Sequence, residues 1–362
     1  MIIDAKHGGI IKHLIAKNID NKDFVDSANR FAFNEIRGNF YKDGGYHSNK
    51  ENPAEIKILE NGPLRIRLQL KNTIASQAYT QTITLQQGQP VIDFDVKFDW
   101  QGNPGIGAYA HNDDLKAPEK GFYNDSSKLL VLFPLKLKGQ QVYKDAPFDV
   151  CKSELANTFF SRWDSIKNNI ILHWVDVTDS SGKYGVALFS DHTTSYVHGA
   201  HYPLGLNLQY SGYGLWGGNY TISGPSEIHY AIMPHKGNYK SGNVTEANDE
   251  WNEQMPLVLM NIKSKQDNSH SLIQLEQQGM KISAVNFHGN DLWVRLYNES
   301  GSAGIKQISF DCKATKITSV QLNGQEVENL KMHKDKKNRT VVDVYIPKFG
   351  IRTIQLENVQ SL

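Results

Sequence analysis

Ile92-Asp93-Phe94-Asp95-Val96-Lys97-Phe98-Asp99-Trp100 exchanges an apolar for a charged residue at every step. Successive side chains of a strand point to opposite faces, so this segment predicts a strand with one face in a core and the other in water. The same period runs through Leu64-Arg65-Ile66-Arg67-Leu68-Gln69-Leu70, where every even position is apolar and is expected to be buried. It returns at Leu204–Tyr210, Ile228–Ile232, Leu292–Leu296 and Val342–Ile346, with Gly, Pro, Asn and Asp turns between. A strand with one wet face needs no covering helix, so antiparallel sheets are the expected solution. Helical period is scarce, and the best candidates are short pieces near Asp23–Asn29 and Val244–Glu253. The chain reads as all-β.

At roughly 100–200 residues per domain, 362 residues make two domains or one large one. From Ile56 to Trp251 strands recur with aromatic-rich connections, which suits one large sandwich of two packed sheets. The polar, aperiodic stretch Asn261–His270 then precedes shorter strands with few aromatics, so a boundary is expected near Pro256–Ser271. The expected domains are residues 1–260, a large β-supersandwich, and residues 261–362, a small β-sandwich. The basic segment His333–Arg339 reads as a solvated turn.

Composition removes several classes. Lys and Arg number 39 against 38 Asp and Glu, a net charge of +1, which leaves no cationic excess for nucleic acid or an anionic membrane surface. No stretch approaches the roughly 18 apolar residues of a membrane-spanning helix. The N-terminus lacks the basic and apolar regions of a signal peptide, which leaves localisation open between a cytoplasmic protein and a piece of an exported one. Cys151 and Cys312 are too few for a disulfide framework or a cysteine-based zinc site. No Gly-x-Ser-x-Gly elbow, P-loop or dinucleotide fingerprint occurs.

Two segments carry candidate chemistry. Gly102–Asn124 is too polar and too rich in Gly and Pro for a strand, and its Tyr109, His111, Asp113 and Asp114 are candidates for lining a cleft. Adjacent carboxylates repel, so Asp113 and Asp114 are expected to reach water, a cation or a polyol. The loop Tyr210–Tyr220 interleaves Gly with Tyr213, Trp216 and Tyr220, which can stack on a sugar face or plug the rim of the sandwich. His192, His198 and His201 are the closest histidine cluster, but residues three apart on a strand face opposite ways, so no metal site is assigned.

The order of short motifs then becomes informative. Asp4-Ala5-Lys6-His7-Gly8-Gly9-Ile10, Phe33-Asn34-Glu35, Glu60-Asn61-Gly62-Pro63-Leu64, Phe133-Pro134-Leu135, Trp174–Asp179 with Tyr184–Leu188, Tyr230–His235, Trp251-Asn252-Glu253, Val294–Glu299 and Ile351–Leu356 follow one another along the chain. In that order they resemble the C-terminal region of glycoside hydrolase family 38, the retaining α-mannosidases. The resemblance implies a mutarotase-like supersandwich followed by a smaller β domain. It also implies that zinc and the Asp nucleophile belong to an N-terminal catalytic domain opened by His-x-His-x-Asp, a motif this sequence lacks.

On that resemblance the chain is expected to be the C-terminal part of an α-mannosidase-like protein without its catalytic domain. It would carry no catalytic residue, metal or cofactor of its own, line a sugar cleft, and be inactive alone. The parent reaction would be retaining hydrolysis, with two carboxyl groups about 5–5.5 Å apart. Its expected partners are an α-mannoside and the catalytic domain, with neither nucleic acid nor membrane among them. Such a domain would leave an exposed apolar or aromatic patch on this chain, with the loops around Tyr109 and Trp216 as candidates. Two alternatives stay open: an aldose epimerase pairing His111 or His173 with Glu227 or Asp176, and a carbohydrate-binding module built on Tyr213, Trp216 and Tyr220.

Overall fold

The computed structural model describes residues 1–108, 122, 124–153, 169–214, 218–253, 271–277, 279–299 and 301–361. It divides into two compact units, Met1–Ala146 with Cys151–Asn252, and Pro147–Val150 with Glu253–Leu362. The segment where the sequence suggested a boundary, 256–271, lies almost wholly outside the described residues.

The larger unit is built on a nine-stranded sheet. Its order is Asp149–Ser153, Gln141–Ala146, Trp174–Thr178, Tyr184–Ser190, Gly224–Lys236, Ile92–Trp100, Gln77–Gln86, Arg65–Ile74, Glu55–Asn61. A six-stranded sheet accompanies it in the order Ile170–Ile171, Thr194–Gly199, Tyr202–Gln209, Leu129–Phe133, Glu35–Phe40, Gly45–Ser48. In Ile92–Trp100 every apolar position is buried and every charged one is partly or fully exposed, as its period requires. Phe94 stacks on Tyr230 at 5.0 Å, and Phe33 meets Phe133 edge-on at 5.1 Å.

Leu129–Phe133 is buried at all five positions because both of its faces are covered. Leu129, Val131 and Phe133 enter the main core, while Leu130 and Leu132 pack with Phe31 and Val197. Between the sheets a polar bridge is fully satisfied. Asn34 donates to Gln81 Oε1 at 2.8 Å, and the Gln81 amide donates to Asn34 Oδ1 at 3.0 Å and to the Tyr230 hydroxyl at 2.8 Å. Buried amides without such partners would cost about 1–3 kcal/mol each.

Two expectations require correction. Residues 23–29 form no helix: Asp23 Oδ1 accepts from the Leu14 and Val25 amides, and Asp26 Oδ1 from the Ala28 amide. Aspartate side chains that capture backbone N–H groups favour turns over helix. In Leu64–Leu70 only Leu70 reaches the core, while Leu64 is 70% and Ile66 40% exposed. The cause is sheet width, since nine strands outrun six and the edge pair Glu55–Asn61 and Arg65–Ile74 is left partly uncovered. The piece near 244–253 does form a helix, Val244–Asn252.

The smaller unit is also a sandwich. A four-stranded sheet (Ile273–Leu275, Gly304–Phe310, Thr340–Ile346, Met332–Lys334) and a five-stranded one (Met280–His288, Asp291–Asn298, Ile351–Glu357, Lys316–Val320, Glu326–Asn329) enclose Leu292, Val294, Leu296, Phe310, Val342 and Ile354. The basic segment 333–339 turns a hairpin in which Asp335 Oδ1 accepts the amides of Lys337 and Arg339.

Candidate functional site: an aromatic loop and a polar sheet face

Tyr213 and Tyr220 lie together at one end of the larger unit, held by a short backbone bridge between Tyr213 and Asn219. Tyr213 N–H donates to Ala108 O at 3.0 Å, and Tyr220 N–H to Gly212 O at 3.0 Å. Gly107, at φ 133°, and Gly212 are required here, because a Cβ on either would collide with the Tyr210 ring. That ring is the centre of the cluster, with its hydroxyl donating to Tyr213 O at 2.6 Å. Phe122 packs edge-on against it at 5.6 Å, and Tyr220 lies 6.1 Å away. Burial pushes the Tyr210 phenol far above its ordinary range, so it serves only as a neutral donor.

Beneath these rings lies an ion pair. Lys128 Nζ stands 2.6 Å from Asp125 Oδ1, with both side chains almost wholly buried. The same ammonium lies 4.8 Å from the Phe122 ring centre and 5.6 Å from that of Tyr210. Asn169 donates to Asp125 Oδ2 at 2.6 Å and to Tyr196 O at 2.8 Å. Tyr213 is half-buried and Tyr220 43% exposed, so this rim both plugs the sandwich and offers a phenol edge to solvent. Tyr109, His111, Asp113, Asp114 and Trp216 lie outside the described residues.

A second polar constellation escaped the sequence reading. On the outer face of the nine-stranded sheet, His229 Nε2 lies 2.8 Å from Asp93 Oδ1 and 4.0 Å from Asp95 Oδ1. Trp251 Nε1–H donates to the same Asp93 oxygen at 2.8 Å, and its ring lies 4.5 Å from the imidazole. Burial opposes protonation of His229, but the Asp93 hydrogen bond and the charges of Asp93 and Asp95 outweigh it and raise its pKa. Burial also raises that of Asp95. The signal in sequence was the polar parity of Asp93, Asp95 and His229; the register that joins them was not in it.

The pairs considered for an epimerase are engaged elsewhere. Asp176 is buried against His235 Nε2 at 2.8 Å, Glu227 meets Lys97 at 2.7 Å, and His173 stands 3.9 Å from Asp145. The strand ends at Gly199, so His201 sits in the two-residue turn before Tyr202, and it lines with His198 one cavity of about 670 Å³. His192 instead contacts Asp191. Among the described residues no group of three or more His, Cys, Asp or Glu converges on a cation position, so they do not fit a zinc centre.

The described residues thus make two β-sandwich units, the first with a wide sheet and an aromatic rim. The description "Glycosyl hydrolases family 38 C-terminal domain" matches residues 25–208, just over half of the sequence, and the chain belongs to that family. Among solved structures, an alpha-mannosidase from Enterococcus faecalis shares the fold at TM-score 0.65 and 16% identity, over 98% of this chain and 41% of that one. A glycosyl hydrolase family 38 protein from the same organism gives TM-score 0.60 and 16% identity, over 95% and 43%. The chain thus spans about two-fifths of the length of these proteins. No curated protein matches the sequence.

Proposed function

We propose that this chain is the β-sandwich portion of a retaining α-mannosidase-type glycoside hydrolase, supporting a catalytic domain and contributing one wall of its sugar cleft. The observation that carries the reading is the uncovered corner of the nine-stranded sheet. Ile58 pairs with Leu68, and Ile66 with Leu85, on the face that holds Leu70 and Phe94 in the core. Yet Ile58 is 61% exposed, and Leu59, Leu64 and Ile66 are exposed beside it. A contiguous apolar face at a sheet edge is what a packed neighbour covers. The neighbour assigned here is the zinc-binding catalytic domain; zinc and the nucleophile would reside there.

The first expected result is that the chain alone does not hydrolyse an aryl α-mannoside, with or without added zinc. Mixed with that catalytic domain it should form a complex, and Leu64→Glu with Ile66→Glu should weaken the complex by at least about tenfold, since two exposed side chains lose their burial. Turnover by the chain alone that survives repurification, or a complex indifferent to both charges, overturns the reading.

The segment 109–114 is assigned to the rim of the cleft, where Asp113 and Asp114 accept hydrogen bonds from sugar hydroxyls. Such contacts act equally on ground and transition states. Replacing both by Ala in the full-length enzyme is therefore expected to raise KM more than it lowers kcat. Unchanged constants in a folded variant would remove these residues from the cleft.

A further inference from the structure

The smaller unit carries a pocket of about 300 Å³ that the mannosidase reading does not use, on the outer face of its five-stranded sheet. In the strand Asp291–Asn298, Leu292, Val294 and Leu296 fill the core, so Trp293 and Arg295 point away from it. Antiparallel pairing sets Asn286 beside Trp293 and Thr353 directly across from Arg295. His288 meets the Trp293 ring edge-on at 5.5 Å. Gly324, at φ 87°, brings the turn after Val320 so close that a Cβ there would stand 3.0 Å from Trp293 Cη2.

Two residues that line this pocket each carry a polar atom that the fold leaves without a partner. Arg295 Nε and Thr353 Oγ1 are buried without a hydrogen-bond partner, although Thr353 is only 5% exposed. Six such orphan side-chain atoms occur among the described residues, and these two belong to cross-strand neighbours lining one cavity. A buried donor left unsatisfied is costly, and paired examples in one cavity point to a ligand that completes them.

We infer that this pocket binds one sugar unit of a glycan, independently of whether the larger unit serves a mannosidase. An indole beside amide, guanidinium and hydroxyl groups suits a ring with an apolar C–H face and hydroxyls at its edge. Both orphans are closed to water in this structure, so a sugar hydroxyl accepts from Arg295 Nε–H and exchanges a second hydrogen bond with Thr353 once the Arg295 side chain shifts aside. The volume lies at the lower end of the range for small-molecule sites, the size of one sugar rather than a long chain.

The test uses the 362-residue chain labelled for NMR and titrated with methyl α-mannoside, methyl α-glucoside and methyl β-galactoside to tens of millimolar. At least one glycoside should shift the Trp293 indole N–H saturably, and Trp293→Ala should weaken its binding at least about tenfold. Thr353→Val gives the decisive split: it removes an unpartnered buried hydroxyl, so Tm holds or rises, while binding weakens about threefold or more. No shift with any glycoside overturns the inference. So does Thr353→Val raising Tm with binding unchanged, or acetate shifting the indole where the glycosides do not.

Discussion

Replacing Lys128 by methionine is expected to cost the larger unit about 3–5 kcal/mol, because it strands a buried carboxylate. Among the described residues Asp125 keeps only Asn169 as a side-chain partner, and Lys128 is the cation paired with it. Methionine retains most of the volume against Phe122 and Tyr210, so the loss is one of charge rather than packing. The paired change Lys128→Met with Asp125→Leu should recover much of the stability, since a buried ion pair contributes little over an apolar pair of similar shape. Urea denaturation of both variants measures this; a double variant no better than the single one would mean that the aromatic rim, not the ion pair, carries the effect. The consequence reaches the candidate site, because the same ammonium underlies the rings that set Tyr220.

Acid is expected to destabilise the larger unit through His198. Burial pushes its pKa down to about 4, from an ordinary value near 6.5. Nε2 lies 2.7 Å from Gln140 Oε1, so the neutral ring donates there. Between these two values the unfolded chain binds a proton that the fold refuses, so stability falls as pH drops from about 6.5 to about 4 and levels below. At about 1.4 kcal/mol per unit the loss approaches about 3 kcal/mol. Other groups titrate in the same window, so the readout is the difference between the native chain and His198→Gln across that range. A variant whose stability follows the same pH curve as the native chain would mean that His198 is not the acid-sensitive group.

Part of this molecule was legible before any coordinates. The alternation in Ile92–Trp100 identified both the strand and its buried face, because two-residue periodicity is a local property of the backbone. The ordered motifs carried the family, which the match over residues 25–208 shows. Asp23–Asn29 misled because the same aspartates that open helices also close turns.

What the sequence determined by itself is the alternation of apolar and polar residues, and with it the all-β class and the facing of most strands. Which strand neighbours which was decided only by the tertiary structure. Asp93 meets Trp251 across 158 residues, and Arg295 faces Thr353 across a register no local pattern encodes. Leu64 and Ile66 have the parity of core residues and yet stand in solvent, because burial depends on whether a second sheet extends over them. Parity is fixed by bonds along the chain. Pairing, cover and the meeting of distant polar groups are fixed by packing across it, and there the sites of this protein are made.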